Sequence, residues 1–311
     1  MEIVCIGCAD FVAVPLCREG GRLIMEISTR MIMKIIVVEH TARREHERKS
    51  PMSSELNLSV LEQTYRLSIA GEVTAPLVFA ADGLLRKETV KPFLRQVGEQ
   101  IGSPTAVVTA SIFFKRFLTV ICGGLYAMSV HSAGLDLSLG NVLLTAEKNW
   151  ALPRFVLRDG SVSTPGGPGR DVWREQVLRR FFAETVQPLI ATLSAVTGIH
   201  ANVLWAHTAY IVHYYYEDWQ QRDELSALRG QLAADFRFLC REAGPDLFGL
   251  TTGNPLDTSF TVVSHPKQPD RPIRIRRQCC FQYRLAGGRC CYTCPLLNEE
   301  KRTEQILALG H

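Results

Sequence analysis

Five of the chain's ten cysteines fall within sixteen positions near its end, in Arg274-Ile-Arg-Arg-Gln-Cys279-Cys280-Phe-Gln-Tyr-Arg-Leu-Ala-Gly-Gly-Arg-Cys290-Cys291-Tyr-Thr-Cys294-Pro295. Read as C-C-x10-C-x2-C, the stretch offers Cys279, Cys280, Cys291 and Cys294 as four thiolates, folded back on one another through the Gly287-Gly288 turn. Four thiolates are what an iron–sulfur cluster or a structural zinc ion requires.

Spacing weighs between the two. A zinc ribbon takes its sulfurs as two C-x2-C knuckles, and only Cys291-Tyr-Thr-Cys294 has that form. The adjacent pair Cys279-Cys280 reaches iron only where the backbone bends sharply, which suits a [2Fe-2S] rhomb better than one tetrahedral ion. A zinc-stapled binding module and a reduced or disulfide-linked cysteine cluster are the other readings. Cys290 is a spare thiol and the alternative to Cys291 as ligand. Arginines surround the run, and cationic surroundings stabilise a reduced, more negative cluster and attract an anionic partner. Arg274, Arg276, Arg277 and Arg289 are therefore candidates for electrostatic tuning; the competing reading is a solvated outer face.

The terminal run, with an arginine-rich strand before it and Pro295 after it, resembles the ferric siderophore reductase family of the FhuF type. Upstream, Trp150-Ala-Leu-Pro153 and Thr197-Gly-Ile-His200-Ala-Asn202-Val-Leu-Trp205 are similar to a ferric-reductase-like domain shared with aerobactin-type siderophore synthetases, and the likeness covers about residues 55 to 300. The resemblance implies a cytoplasmic oxidoreductase whose [2Fe-2S] cluster, on Cys279, Cys280, Cys291 and Cys294, passes one electron to Fe3+ in an imported, hydroxamate-type siderophore. It also implies a ferredoxin-like or flavoprotein electron donor. A siderophore assembly factor without redox activity is the alternative from the shared domain; its nucleotide- and acid-binding residues are not evident. Cys290 departs from the pattern and leaves the register open by one residue.

The remaining cysteines, Cys5, Cys8, Cys17, Cys122 and Cys240, are dispersed without disulfide-like pairing, which points to a reducing compartment. A net charge of +4 is too mild to argue for nucleic acid. Charges break every apolar run in the first forty residues, so no export signal is expected. A charge-dense segment from His40 to Ser50 precedes Pro51-Met52. We expect three parts: residues 1–51 as a disordered or artefactual extension with Met52 as the physiological start, residues 52–262 as a mainly helical domain that binds siderophore, and residues 263–311 as the cluster-binding segment. Cys5-Ile-Gly-Cys8 lacks a second knuckle and is read as incidental.

The class expected is α+β: a mainly helical domain, a small antiparallel β section and a C-terminal four-cysteine hairpin. Helices are anticipated over Leu56–Leu67, capped by Ser54, and over Leu84–Ile101, stopped by Gly102-Ser-Pro104. Thr105–Val130 is the most apolar stretch, but Lys115-Arg116 in its middle is costly in a bilayer. It reads as buried helices, not a membrane span, and leaves room for peripheral membrane contact. His131 at its end reads as a packed or capping histidine. Strands follow around Leu135–Leu139, Val142–Thr145 and Trp150–Leu157, the last placed at an edge by Pro153. The glycine-rich loop at 161–169 lacks the order of a phosphate cradle.

Three long helices are expected next, over 171–196 with a kink at Pro188, over 199–219, and over 223–243. The middle one is dense in hydrogen-bonding aromatics. His200, His207 and His213 are separated by seven and six residues, which places the first two roughly 10 Å apart along the axis, too far for shared ligation. They read as packed side chains. Trp205, His207 and Tyr214 are carried forward as candidate walls of a siderophore pocket.

Overall fold

The computed structural model describes residues 56–69, 73–166 and 169–308. The extension over 1–51, Met52, Ser54 and Cys5-Cys8 lie outside the described residues.

The expectation of a mainly helical α+β chain holds. Helix α1 (Leu58–Tyr65) is capped by Asn57, whose side chain accepts from the Val60 N–H at 3.1 Å. Strands β1 (Leu67–Ile69) and β2 (Leu77–Ala80) lead into a short 3-10 turn and α2 (Lys87–Gln100). The apolar positions Leu84, Val90, Phe93, Leu94 and Val97 are all buried, while Leu85 stays exposed. Gly102, at φ +63°, ends the segment in the left-handed region.

Helix α3 (Ala106–His131) is the centre of the molecule. Thr105 caps it, accepting from the Val108 N–H at 3.3 Å, and Ser132 closes it at φ +51°. It is one continuous helix where several were expected, because Gly123 and Gly124 serve as notches and do not break it. Gly123 packs tightly under Tyr65 and Leu67, and Gly124 receives Leu137 and Phe181 so closely that an added Cβ would force a shift. The helix is long and apolar enough to cross a membrane, yet it is mostly buried among its own chain's neighbours.

Four strands cover one side. After β3 (Gly134–Leu135), β4 (Val142–Ala146) and β5 (Arg154–Leu157) join β1 and β2 in the order β1-β5-β4-β2. The β1–β5 pair is parallel and the other two pairs are antiparallel. Strand β5 is thus interior; Pro153 is tolerated because it precedes the first paired residue. Val142 and Leu144 face Leu157 and Phe155 across the ladder, and Phe155 meets Phe117 of α3 edge-on at 5.6 Å. Period-two alternation in the strands and the apolar face of α3 are thereby satisfied by one another.

A second small ribbon pairs β3 with β6 (Val162–Ser163). Helices α4 (Arg170–Arg179) and α5 (Gln187–Thr197) are continuous through a wide π turn at Arg180–Val186, which sits just before Pro188. Gly198, at φ +78°, ends α5. Helix α6 (Ala201–Gln221) begins at His200, whose Nδ1 accepts from the Asn202 N–H at 3.2 Å, so this histidine is a cap. Helix α7 (Arg229–Arg237) is tied to α4 by a buried carboxylate: Asp235 receives Arg170 in a two-pronged pair at 2.6 Å each, and Arg174 at 3.2 Å.

His213 of α6 is buried, its Nε2–H donating to the Leu256 carbonyl at 3.0 Å. Burial, reinforced by Arg274 and Arg241 against the opposing effects of the Leu256 bond and Asp257, pushes its imidazole down to about 4. The unfolded chain then binds the extra proton first, so this contribution is complete above the ordinary imidazole value and is lost as pH falls toward 4. We expect urea denaturation between pH 7 and pH 4 to lose up to about 3 kcal/mol from this residue. His213→Asn should flatten that part of the profile; an unchanged slope would refute the assignment.

The tail begins with an antiparallel ribbon, β7 (Val262–Val263) on β8 (Ile273–Arg274), and ends in α8 (Glu299–Ala308), which the sequence reading did not anticipate. Asn298 starts α8 by accepting from the Lys301 N–H at 3.0 Å, followed by Glu299-Glu300 in the favoured first turn. Ile273, Ile275 and Ile306 form its own small core.

Candidate metal centre

The cysteine-bearing arms are irregular chain joined by a 3-10 turn at Gln282–Arg284, where a hairpin was expected. Two features bring them together. Phe281 adopts φ +61°, a conformation costly for an aromatic residue, and supplies the sharp bend that adjacent cysteines need. Its N–H donates to Cys279 Sγ at 3.3 Å. Gly287 at φ +68° then reverses the chain, and any side chain at Gly288 would overlap the Gln282 carbonyl.

The returning arm is held from behind by α8. The buried Arg302 guanidinium donates to the carbonyls of Tyr292, Cys294 (3.1 Å) and Leu297 (2.8 Å), and Gln305 donates to that of Cys290. Within the arm the Cys294 N–H donates to the Cys291 carbonyl at 2.8 Å, closing the C-x2-C knuckle.

The thiols meet in pairs. Cys279 Sγ lies 3.8 Å from Cys294 Sγ, and Cys280 and Cys291 face each other closely enough for each to set the other's protonation. Cys290 reaches Cys294 as a further contact and is less deeply placed. Two sulfurs on one tetrahedral metal at about 2.3 Å stand roughly 3.8 Å apart, by simple geometry from the bond length. Among the described residues no three His, Cys, Asp or Glu side chains are gathered to hold a single metal ion.

The floor under Cys280 is α3. Ser111 and Lys115, one turn apart on the same face, take the two ends of that cysteine: Ser111 Oγ donates to its carbonyl at 3.2 Å, and Lys115 Nζ lies 3.9 Å from its sulfur. Ser111 is in turn bonded to Nε2 of the buried His207 at 2.9 Å. On the other side Arg276 acts electrostatically on Cys291 and Cys280, donates through Nε to Thr293 Oγ1 at 3.2 Å, and lies 3.9 Å over the Tyr210 ring.

These neighbours set the thiol chemistry. The Cys291 thiol, then Lys115 and Arg276, hold Cys280 down at about 4 despite its burial. Cys291, as the partner that keeps the proton, is pushed up, and burial pushes Cys279 up to about 12. His207, buried and facing Arg276 and Lys115, is driven well below the ordinary imidazole value and is neutral.

The structure distributes the other sequence candidates unevenly. Arg274 is turned to Glu217 at 3.0 Å and stacks on Phe260; Arg277 donates to Thr258 and Ser259; Arg289 is exposed. Of the four arginines, Arg276 is the one placed to act on the charge of Cys291 and Cys280. Trp205 is buried edge-on to Phe248, 6.0 Å between centroids, and His207 is sealed beneath Cys280. Tyr214 is half-buried beside Tyr210 and Tyr292, close to the cysteine arm. Lys115, Ser111, Tyr210 and Thr293 were missed. A lysine in the most apolar helix was the available signal, because such a charge requires a partner.

Comparison with known proteins bears on the helical body. Residues 111–265 match the family model of the ferric iron reductase FhuF-like transporter. The match is narrower than the 55–300 anticipated, and it ends before Cys279. Over that span the chain is similar to that family. Among solved structures, the ATP-bound aerobactin synthetase IucA from a hypervirulent pathotype of Klebsiella pneumoniae is similar over 58% of this chain and 36% of that one, at 14% identity and a TM-score of 0.43. This chain therefore spans about a third of that protein. No curated protein matches it.

Proposed function

We propose that the protein is a ferric siderophore reductase with a [2Fe-2S] cluster held by Cys279, Cys280, Cys291 and Cys294. The observation that carries the reading is the gathering of the tail thiols: Cys279 and Cys294 stand 3.8 Å apart between sulfurs, and Cys280 and Cys291 act on one another beside Lys115 and Arg276. A binuclear cluster takes two cysteine sulfurs on each iron, so paired donors fit it, and the FhuF-like match over the body supports a ferric reductase. When bound, such a cluster supplies one-electron transfer.

The chain's own residues define what surrounds it. Lys115 and Arg276 offset the negative charge of four thiolates, and the Phe281 N–H adds a hydrogen bond to sulfur; both favour the reduced form. Fe3+ in a siderophore is held by hard oxygen donors, and Fe2+ binds those donors less strongly, so delivery of one electron loosens the metal. A ferredoxin-like or flavoprotein donor supplies the electron. The buried free thiols of Cys122 and Cys240 favour a reducing, cytoplasmic setting.

The test is the visible spectrum of anaerobically purified protein before and after dithionite, with iron, acid-labile sulfide and zinc measured on the same sample. Iron and sulfide in equal amounts, with absorption that bleaches on reduction, are expected. Stoichiometric zinc without sulfide would replace this reading with a zinc-stapled module.

A further inference from the structure

A cavity of about 660 Å³ opens next to the thiols, between the β7–β8 ribbon and α8. Its volume lies in the range of sites that enclose a small ligand. The walls include Phe260, Arg276, Arg277, Pro295, Glu299 and Arg302. Two of these join it to the metal centre: Pro295 directly follows Cys294, and Arg276 also acts on the charge of Cys291. One edge of the cavity wall is therefore the residue next to a candidate ligand cysteine.

Charge defines the ligand. Three guanidiniums face one carboxylate across the cavity, and none of Arg276, Arg277 and Arg302 has a carboxylate within ion-pair distance among the described residues. Arg302 is buried, with its bonds going to backbone carbonyls, so its charge has no counter-ion. The buried Arg302 without a counter-ion and the exposed Arg277, which holds only neutral groups, favour an entering anion, while Arg276 is shared with the thiols. The walls proposed from sequence, Trp205, His207 and Tyr214, do not line this space.

We propose that this cavity is the docking site for the ferric chelate, and that it selects chelates bearing free carboxylates and a net negative charge. The inference rests on the reductase reading and adds the substrate class to it. In the step concerned, one electron from the donor protein passes through the tail to the docked chelate; Fe3+ becomes Fe2+, and no covalent bond to the protein forms or breaks.

Binding can be separated from reduction with gallium(III), which matches ferric iron in charge and is not reduced. The full-length, metal-loaded protein should be titrated calorimetrically with the gallium complexes of an anionic citrate dihydroxamate and of a neutral trihydroxamate. The anionic complex should bind at least about tenfold more tightly at low salt, and the preference should shrink as salt rises. Arg277 is exposed and holds only loop groups, so Arg277→Glu should fold normally and abolish the preference; Glu299→Lys should enlarge it. Equal affinities, or a preference indifferent to both substitutions, would overturn the proposal. Acid-labile sulfide measured on the same preparations keeps the two failures apart. Selective gallium binding without sulfide removes the electron-transfer reading and leaves the site, whereas sulfide without selective binding removes the site alone.

Discussion

With the proposed [2Fe-2S] cluster as the resident group, replacing Cys280 by serine will leave the chain folded but without the visible absorption, iron and sulfide that such a cluster gives. The same loss is expected for Cys291→Ser, because these two thiols face each other and are the pair whose charge Lys115 and Arg276 attend. Cys290→Ser should retain most of the metal, since that thiol lies at the periphery and its backbone carbonyl, not its sulfur, is what Gln305 of the tail helix holds. Iron and sulfide content of the three variants, purified side by side, decides the register that sequence left open. Retention by Cys291→Ser with loss in Cys290→Ser would shift the ligand set by one residue. Thermal unfolding adds an independent measure. Metal bound only to the folded state stabilises it, so the two metal-free variants should melt earlier than wild type while keeping the helical signal.

The second large effect concerns Lys115. Its ammonium lies 3.9 Å from Cys280 Sγ, on a helix too deeply packed to move in response to a substitution. Lys115→Met keeps the apolar stem and removes the charge. The reduced form of a thiolate-bound cluster carries the extra negative charge, so losing the cation should make the potential more negative. A unit charge about 6 Å from the metal at an effective dielectric of 20 to 40 corresponds to roughly 60 to 120 mV. Redox titration followed in the visible region measures it directly. Lys115→Arg should restore most of the potential, which a purely structural role would not require. A potential unchanged in Lys115→Met would mean that the charge is screened from the metal and that Arg276 alone tunes the site.

Much of the body was legible because local rules and packing agreed. The apolar spacing of Val90, Phe93, Leu94 and Val97 announced α2, and those residues are buried. Gly198 stopped a helix where a glycine stop was expected. The expectations that slipped are those where tertiary contacts overrode a local signal. The stretch from Thr105 reads as more than one buried helix, yet close approach of Tyr65, Leu67, Leu137 and Phe181 makes Gly123-Gly124 a packing notch within a single one. Pro153 reads as an edge marker, but it stands outside the paired register of an interior strand. Helix α8 was overlooked because its ten residues carry few apolar positions; Arg302 and Gln305 give it a purpose that becomes visible only when the cysteine arm lies beneath it.

The candidate site divides in the same manner. Cysteine spacing pointed to donor chemistry in the tail, with Cys290 and Cys291 as alternatives, and called for a sharp bend after Cys279-Cys280, because adjacent thiols cannot turn to a common centre on extended chain. Sequence could not say which thiols pair, nor that Lys115 and Ser111, more than 160 positions upstream, meet Cys280. Those partners are chosen by helix geometry: residues four apart on α3 share a face, and only the docking of the tail brings that face under the sulfur. Electrostatic roles followed the same rule, since of the four arginines singled out beforehand the fold turned Arg276 toward the thiols and Arg274 onto Glu217. Donor identity is a property of the chain; charge acting on the donors depends on distance, and distance is decided by folding.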